Sequence, residues 1–377
     1  MENFEILDLE YKKGNNFRVN NEYLESYKIE LLKFLNGQDD MKTKSFAKQV
    51  MMLQEIKANN SIEGINNDIS IIDEVINSNS LQSLKERKKI INLYQGYQYI
   101  LEHKDINKES LKELYSILSD GLLESYDLSN MGEYYRNKPV YILKGNHLNL
   151  EPYKGMDENK LDYYMDLLFE YINNIDKNNC EIDYFIKSQI MHFYFVYIHP
   201  YFDVNGRTSR TVAMWYLLNN ESYPYIIFNR AIAFAKREYE RNIIKVRNSG
   251  DMTLFLKYML VSVEKELEKE YLIKSIKSKS KYELTKEDLQ ILEYFISMKS
   301  HLTVKDLATT YNYYNEYKKI NDIFRTKIMP LIDKEILVVN GYTSRSKQSN
   351  MNLRLNEELI SVDESKVKNL NLSKYIK

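Results

Sequence analysis

The sequence has little cysteine, glycine and proline, and no apolar run approaches the length of a membrane helix. The chain of 377 residues has one cysteine, Cys180, so no disulfide can form within it. Gly and Pro number 11 and 5, and this scarcity favours helices, because tight turns depend on these residues. The N-terminus lacks the basic start and apolar stretch of a signal peptide. These absences predict a cytoplasmic protein without a membrane partner.

The chain also lacks a net charge that would attract a polyanion. Its 53 Lys and Arg residues nearly balance 54 Asp and Glu, which leaves a formal charge of -1. No global electrostatic attraction to nucleic acid or to an anionic membrane follows from this composition. Hydrophobic residues make up 44% of the chain, enough for real cores, and the length predicts two or three domains.

Periodicity and turn signals divide the chain into five segments. Residues 1–90 are predicted to be mostly helical, and residues 91–260 form a second helical block with one helix-poor stretch, 134–153. That stretch predicts a β-hairpin with strands at Val140–Leu143 and His147–Leu150. Within the same block, Glu181–Ile198 is apolar on nearly every face, which is typical of a helix in the middle of a domain.

The remaining three segments predict a second, smaller domain and its flanks. Residues 261–282 form a charged helical linker, and residues 357–377 a loosely ordered tail. Residues 283–356 predict three helices and then a hairpin, in which Leu337–Val339 would pair with Tyr342-Thr343. This is the order of a winged helix-turn-helix. The predicted fold class is therefore mainly α, with a small β-hairpin in the larger domain and a C-terminal winged helix.

The stretch from His199 to Arg210 combines the residue types that phosphate chemistry requires. A polar loop follows His199, and a new helix begins near Gly206. A helix N-terminus presents free N–H groups and partial positive charge, and glycine lets a ligand come close. Arg207 and Arg210 share a helical face and suit several phosphates. Asp203 is a ligand type for Mg²⁺, and His199 can act as a general base near neutral pH.

Each of these residues has an ordinary structural explanation when it is taken alone. A histidine at the end of an apolar helix usually makes a capping or core hydrogen bond. Two arginines at helical spacing usually face solvent, and Asn205-Gly206 usually marks a turn. Their occurrence together in this order is poorly explained by chance and favours a nucleotide site.

The same stretch resembles the motif of the Fic family, His-Pro-Phe-x-(Asp/Glu)-Gly-Asn-Gly-Arg-x-x-Arg. This sequence departs from it at Tyr201, which replaces Phe, and at Val204, which replaces the first Gly. Because a β-branched residue resists positive φ, the loop either avoids that conformation or is strained. Weaker similarities lie at Gly132–Arg136, before the hairpin, and at Asn248–Asp251. The resemblance covers about residues 40–260.

The resemblance implies a helical Fic-like core with a hairpin flap, and a protein adenylyltransferase activity that moves AMP from ATP to a protein hydroxyl. His199 would deprotonate the hydroxyl, and Asp203 would bind the metal ion, Mg²⁺. The target segment would be held at the 137–152 hairpin by strand addition. The ATP contacts that the resemblance implies are Asn205, Gly206, Arg207, Arg210, Tyr239 and Asn248.

An earlier segment, Asn59–Gly64, resembles the inhibitory motif of one subclass of the family, (Ser/Thr)-x-x-x-Glu-(Gly/Asn). Glu63 and Gly64 match, whereas Asn59 stands where Ser or Thr is expected. The resemblance implies that Glu63 pairs with Arg210 and thereby removes the clamp for the γ-phosphate. Alternatively, Glu63 is an exposed residue at a helix end and Gly64 is the C-cap. In a third interpretation, Glu63 orients water for the removal of AMP from a modified target.

Other functions remain open at this point. The same site is compatible with UTP, GTP or CDP-choline as donor, with phosphate transfer, or with a nucleotide-sensing DNA-binding regulator. Residues 283–356 carry 11 basic against 9 acidic residues, a net charge of +2. Because a DNA-reading domain usually has a strong basic stripe, DNA and protein are about equally plausible partners for this segment. A homo-oligomer is also possible.

Overall fold

The computed structural model divides into two compact units, Met1–Val263 and Glu264–Lys377. The finer boundaries that the sequence suggested, at residues 90, 260, 282 and 356, stay predictions. The structure describes residues 3–12, 14–36, 38–45, 48, 53–65, 72, 75–76, 85–142, 152–174, 181–297, 303–315, 320–340 and 351–360.

The first unit begins with an antiparallel strand pair, β1 Glu5–Glu10 and β2 Asn16–Val19. The prediction that residues 1–90 are mostly helical is therefore wrong at the N-terminus. The strands form because buried and exposed residues alternate along them, with Leu7, Leu9 and Phe17 buried. Alternation with a period of two is the strand pattern, and it was present in the sequence.

Helices make up most of the rest of this unit, and α7 and α8 lie at its centre. Both are buried on nearly every face, so their packing fixes the loop that joins them. None of the described helices is both long and apolar enough to cross a membrane. The helices are α1 Asn21–Leu35, α2 Leu53–Ile62, α3 Lys85–Glu102, α4 Lys108–Ser119, α5 Ser125–Ser129, α6 Leu161–Asn173, α7 Glu181–Ile198, α8 Asn205–Asn219, α9 Phe228–Phe234, α10 Lys236–Ser249 and α11 Thr253–Lys279, of which α11 continues past Val263 into the second unit.

The predicted hairpin is present as a short antiparallel pair, β3 Tyr141–Ile142 and β4 Tyr153–Lys154. The first strand falls inside the predicted Val140–Leu143. The partner strand lies beyond the predicted one, His147–Leu150, which is outside the described residues. Gly155 N–H donates to the carbonyl of Val140 at 2.9 Å, which extends the pairing toward α7.

The second unit follows the predicted order of three helical segments and two strands. Its strands, β5 Leu337–Asn340 and β6 Asn352–Leu355, are antiparallel. β5 pairs with β6, whose Leu353 and Leu355 are buried, while the predicted partner Tyr342-Thr343 lies outside the described residues. Its assignment as a winged helix stays a prediction. The helical elements are α12 Lys286–Ser297, α13 Val304–Asn315, α14 Ile320–Ile323, a π-helical turn Phe324–Ile328 and α15 Met329–Asp333.

Candidate active site

The loop between α7 and α8 is held in a fixed conformation by hydrogen bonds of its own. Asn205 is buried, its side-chain oxygen accepts from Tyr201 N–H at 3.0 Å, and its amide donates to the Tyr201 carbonyl at 2.8 Å. Thr208 donates to the Val204 carbonyl through both its backbone and its hydroxyl. The Asn205 side chain therefore shapes the loop, and its predicted contact with nucleotide stays a prediction.

Val204 adopts the left-handed conformation, with φ 65° and ψ 4°, at the N-cap of α8. Of the two outcomes that the sequence allowed, the loop is strained rather than relaxed. A residue with a Cβ pays roughly 1–2 kcal/mol for this conformation. The Val204 side chain is buried, and its N–H donates to the Asp203 carboxylate at 2.6 Å.

The imidazole of His199 lies at the C-terminal end of α7 and is half-buried. Burial lowers its pKa to about 4, assisted by the positive charges of Arg136 and Arg247 and opposed by Val196 and Asp203. Its Nδ1 lies 3.4 Å from the Val196 carbonyl, a long contact that favours a proton on Nδ1. The ring is therefore neutral at pH 7, and Nε2 has a lone pair with which it can accept a proton.

Arg136 fixes the backbone around His199, a role that the sequence did not indicate. Its buried guanidinium donates to the carbonyl oxygens of His199 at 3.0 Å, Lys138 at 2.6 Å and Met156 at 2.5 Å. These contacts tie both ends of the hairpin to the loop. The sequence placed Arg136 in the flap-like segment, but a separation of 63 residues from His199 gave no signal of contact.

The start of α8 offers an arginine without a partner. Arg207 is 4% exposed, and its Nε and Nη1 have no hydrogen-bond partner among the described residues. Burial lowers the pKa of Arg207, while the charges of Glu63 and Asp203 act in the opposite direction. Buried donors of this kind are costly unless a ligand satisfies them, so they suit an oligophosphate.

Glu63 contacts the same helix start from α2, as the inhibitory motif implied. Its Oε1 lies 2.5 Å from Arg210 Nη2, and 38% of its side chain is exposed. Partial burial opposes ionisation, but Arg210, followed by Arg207 and Lys236, lowers the pKa of Glu63. A Cβ on Gly206 would lie 2.6 Å from Oε1, so glycine is required for this approach. The carboxylate thus occupies the side of α8 at which an anion would bind.

The competing interpretation of Gly64 also holds, and the two are compatible. Gly64 follows α2 with φ 83°, and its N–H donates to the Ser61 carbonyl at 3.0 Å. A glycine in this conformation ends a helix. Since the turn begins directly after Glu63, ending the helix here leaves that side chain at the C-terminal end of α2, beside Arg210.

Tyr239 and Asn248, the two more distant predictions, occupy different positions. Tyr239 is buried, and its hydroxyl lies 2.9 Å from Nε2 of His192, a histidine whose pKa is lowered to about 3 by burial and by Arg210. Asn248 is exposed, and its carbonyl accepts from Tyr11 of the N-terminal hairpin at 2.6 Å. Tyr239 therefore lies within the surroundings of Arg210, and the nucleotide contacts of both residues stay predictions.

Asp203 is the acidic residue of the loop. It is exposed, and its Oδ1 accepts from the following N–H. Within the part of the chain that the structure describes, no group of three or more His, Cys, Asp and Glu residues suits a metal ion. A single carboxylate is compatible with Mg²⁺, which is commonly held by one or two carboxylates together with phosphate oxygens.

The site and the helices around it define a known class of domain. Residues 105–217, which include α4, α7 and most of α8, match the model of the Fic/DOC family. This match assigns the segment 105–217, less than a third of the chain, to the Fic/DOC family of domains. The inhibitory-glutamate subclass is a finer assignment that the match does not reach.

Relatives and solved structures agree with this assignment. The protein adenylyltransferase Fic of Drosophila mojavensis is 28% identical over 194 residues, which are 50% of this chain and 34% of that protein. The corresponding protein of Drosophila melanogaster is 27% identical over 192 residues, 50% and 35% of the two chains. The chain thus spans about a third of the length of the curated relatives it matches.

Two solved structures share the fold at lower sequence identity. A Fic family protein from Desulfovibrio desulfuricans G20 aligns with a TM-score of 0.55 and 17% identity, covering 89% of this chain and 96% of that one. Fic-1 from C. elegans aligns with a TM-score of 0.52 and 18% identity, covering 69% and 76%. These likenesses concern the fold alone.

Proposed function

We propose that this chain transfers AMP from ATP to a hydroxyl group of a protein, as the names of its Drosophila relatives say of those proteins. The observation that carries the proposal is Arg207, a buried guanidinium with two unpartnered nitrogens at the start of a helix. A neutral histidine ends the preceding helix. Together these groups supply an anion site and a base within one loop and one helix turn.

The proposed reaction is a displacement at the α-phosphorus of ATP, with His199 as the base. The hydroxyl oxygen of the target attacks the α-phosphorus of ATP, and its proton passes to Nε2 of His199. The bond from the α-phosphorus to the bridging oxygen breaks, and pyrophosphate leaves. Arg207, Arg210 and the free N–H groups of α8 stabilise the charge that develops on the phosphate oxygens. A base of this kind contributes about 10²–10⁴-fold to the rate.

Mg²⁺ is the metal ion that fits this proposal. Asp203 would hold it, and when bound it would neutralise charge on the phosphates of ATP. The hairpin would hold the target segment by strand addition, since Tyr141 in β3 is 66% exposed and Arg136 ties the hairpin to His199.

The proposal includes autoinhibition by Glu63. Its carboxylate neutralises Arg210 and lies against Gly206, where the phosphates of ATP would otherwise gather. The pKa of Glu63 is lowered, so the carboxylate is charged at neutral pH and competes with phosphate for the same guanidinium. ATP would bind to the inhibited protein with its phosphates displaced from the orientation that attack requires.

The test compares four proteins with labelled ATP and Mg²⁺: wild type, Glu63→Gln, Glu63→Gly and Glu63→Gly with His199→Ala. Labelling of the protein itself should rise from wild type to Gln to Gly, because the ion pair is first weakened and then removed. The double variant should be silent. A mass increase of one AMP identifies the donor, and competition by UTP, GTP and CDP-choline separates the alternatives. The absence of label on any protein, with or without Glu63, would refute the function, and equal labelling by all four would refute both autoinhibition and the role of His199.

A further inference from the structure

Arg210 has a second anchor besides Glu63. Its Nε donates to the side-chain oxygen of Asn59 at 2.9 Å, and its Nη2 approaches the Asn59 carbonyl at 3.5 Å. Asn59 lies one helical turn before Glu63 on α2 and is fully buried. Arg210, itself 2% exposed, therefore packs against the last turn of α2. The partial negative charge of a helix C-terminus favours a cation at that position.

Asn59 is itself held in place by a buried tyrosine. Its side-chain nitrogen donates to the hydroxyl of Tyr97 on α3 at 3.1 Å, and Tyr97 is also fully buried. The amide thus has its donor side on Tyr97 and its acceptor side on Arg210. This arrangement fixes which atom of the amide faces the arginine, because reversing it would place two donors together. A serine or threonine hydroxyl, which the inhibitory motif has at this position, is shorter and lacks this fixed polarity.

The contacts of Arg210 are divided between different nitrogens of its guanidinium. The Asn59 side chain holds Nε, whereas Glu63 holds Nη2, which the Asn59 carbonyl approaches only at 3.5 Å. A Cβ on Gly206 would lie 3.1 Å from Nη1, so that nitrogen faces the start of α8. Withdrawal of Glu63 therefore leaves the bond from Nε to Asn59 intact and exposes Nη1 and Nη2 together. A guanidinium held at Nε can present its two outer nitrogens to phosphate as a preorganised pair.

We propose that Asn59 is a positioning residue that keeps Arg210 oriented toward the nucleotide after Glu63 has moved away. This inference rests on the proposed function, because it gives Asn59 a role in ATP binding at the same site. That role is separate from the inhibition by Glu63. Two residues of one helix then act in opposite directions on one arginine. Glu63 occupies the outer nitrogen Nη2 and lowers activity, while the Asn59 side chain holds the inner nitrogen Nε and supports activity.

The test uses the Glu63→Gly background, in which the outer nitrogens are free. Asn59→Ala should weaken binding of a non-hydrolysable ATP analogue about tenfold, as expected for the loss of one charge-assisted hydrogen bond. It should raise KM for ATP by a similar factor and change kcat less. Tyr97→Phe removes the hydroxyl that orients Asn59, so it should also weaken binding of the ATP analogue, but by a smaller factor.

The matched control is Asn60→Ala in the same background. Asn60 is 1% exposed and adjacent on α2, and its side-chain atoms have no hydrogen-bond partner among the described residues. It therefore tests the loss of a buried asparagine without touching Arg210. Thermal unfolding of each variant checks that the fold persists.

Binding and labelling together separate the possible results. Equal affinity for the analogue in the Asn59→Ala and Asn60→Ala variants would overturn the role of Asn59. If the Glu63→Gly protein binds the analogue but labels nothing, the transferase function fails while the affinity difference still decides the role of Asn59. If that protein does not bind the analogue at all, both proposals fail.

Discussion

Two arginines on one helix, three residues apart, have opposite surroundings. Arg207 and Arg210 are both buried, at 4% and 2% exposure. Two nitrogens of Arg207 have no partner in the described part of the chain, whereas Arg210 is bound by Glu63 and Asn59. One side of the start of α8 thus has unsatisfied guanidinium donors, and we call it the open side, whereas the other side is covered by the end of α2.

This difference shows how a binding site and its inhibition can be built on neighbouring turns. Buried guanidinium nitrogens without hydrogen-bond partners destabilise a fold, and the proposed phosphate ligand would satisfy the two that Arg207 carries. Arg210 has the same chemistry, but α2 satisfies it within the chain. The proposed autoinhibition would require no change at the catalytic loop, because the Glu63 carboxylate would replace the ligand at one of the two guanidiniums.

The largest expected effect comes from replacing each arginine by methionine in the Glu63→Gly background. Each substitution should lower kcat/KM for labelling at least about a hundredfold, the usual loss when a donor to the transition state is removed. In the background that keeps Glu63, the two arginine substitutions should also differ in their effect on the free energy of unfolding. Arg210→Met leaves Asn59 buried without its partner and should cost about 1–3 kcal/mol. Arg207→Met removes an unpaired charge and should leave stability unchanged or higher.

Urea unfolding of the two variants and wild type measures this contrast. Arg237→Met, at the exposed start of α10, gives the baseline for exchanging a surface arginine. If Arg207→Met destabilises the protein as much as Arg210→Met does, then Arg207 is a structural residue, and the proposal that its unpartnered nitrogens await an anion is refuted.

The next effect concerns the two histidines nearest to these arginines. Burial and then Arg210 lower the pKa of His192 to about 3, whereas burial lowers the pKa of His199 to about 4 with help from Arg136 and Arg247. Arg210→Met should therefore raise the pKa of His192, although burial keeps it below the ordinary value of about 6.5. Arg207→Met should leave it unchanged. Ring-proton NMR titration, assigned with His192→Gln and His199→Gln, measures both.

The pH dependence of activity follows from the same values. His199 must be neutral to accept a proton, and its pKa in the folded protein is lowered, so kcat/KM of Glu63→Gly should be constant from about pH 8 to 5. It should fall about tenfold per unit as the pH drops below about 4. Both histidines stabilise the neutral folded state above pH 6.5 and lose that contribution as the pH falls. A fall in kcat/KM already at pH 6–7, without unfolding, would contradict the assigned base.

The sequence could bring the candidate site residues together because they are close along the chain, whereas their roles stay predictions. His199, Asp203 and both arginines fall within twelve consecutive residues, so one loop and one helix turn place them. Glu63 was also found, through a short motif, and it does contact Arg210. Arg136 and Asn59 act through contacts that span 63 and 151 residues, and no spacing rule connects positions so far apart.

The errors have equally physical causes. The N-terminal strands were missed because the scarcity of glycine and proline in the whole chain was taken to favour helices. The alternation of buried residues at Leu7 and Leu9, which is a strand signal, was given less weight. In the second unit the turn signal at Asn340-Gly341 suggested a tight hairpin, but β5 pairs with a strand whose buried leucines lie farther along. Turn signals are local, whereas the partner of a strand is chosen by burial.

The smallest expected effect lies at Val204, which shapes the start of the helix that carries both arginines. Val204→Ala loses buried methyl groups and keeps a Cβ at φ 65°. Val204→Gly loses slightly more surface but removes the strain of the left-handed conformation. The Gly variant should therefore be more stable than the Ala variant by about 1 kcal/mol, the opposite of their order inside a helix. Urea unfolding of both variants measures this difference in the free energy of unfolding. If the Ala variant is as stable as the Gly variant, the left-handed conformation at residue 204 carries no strain, and the start of α8 does not depend on it.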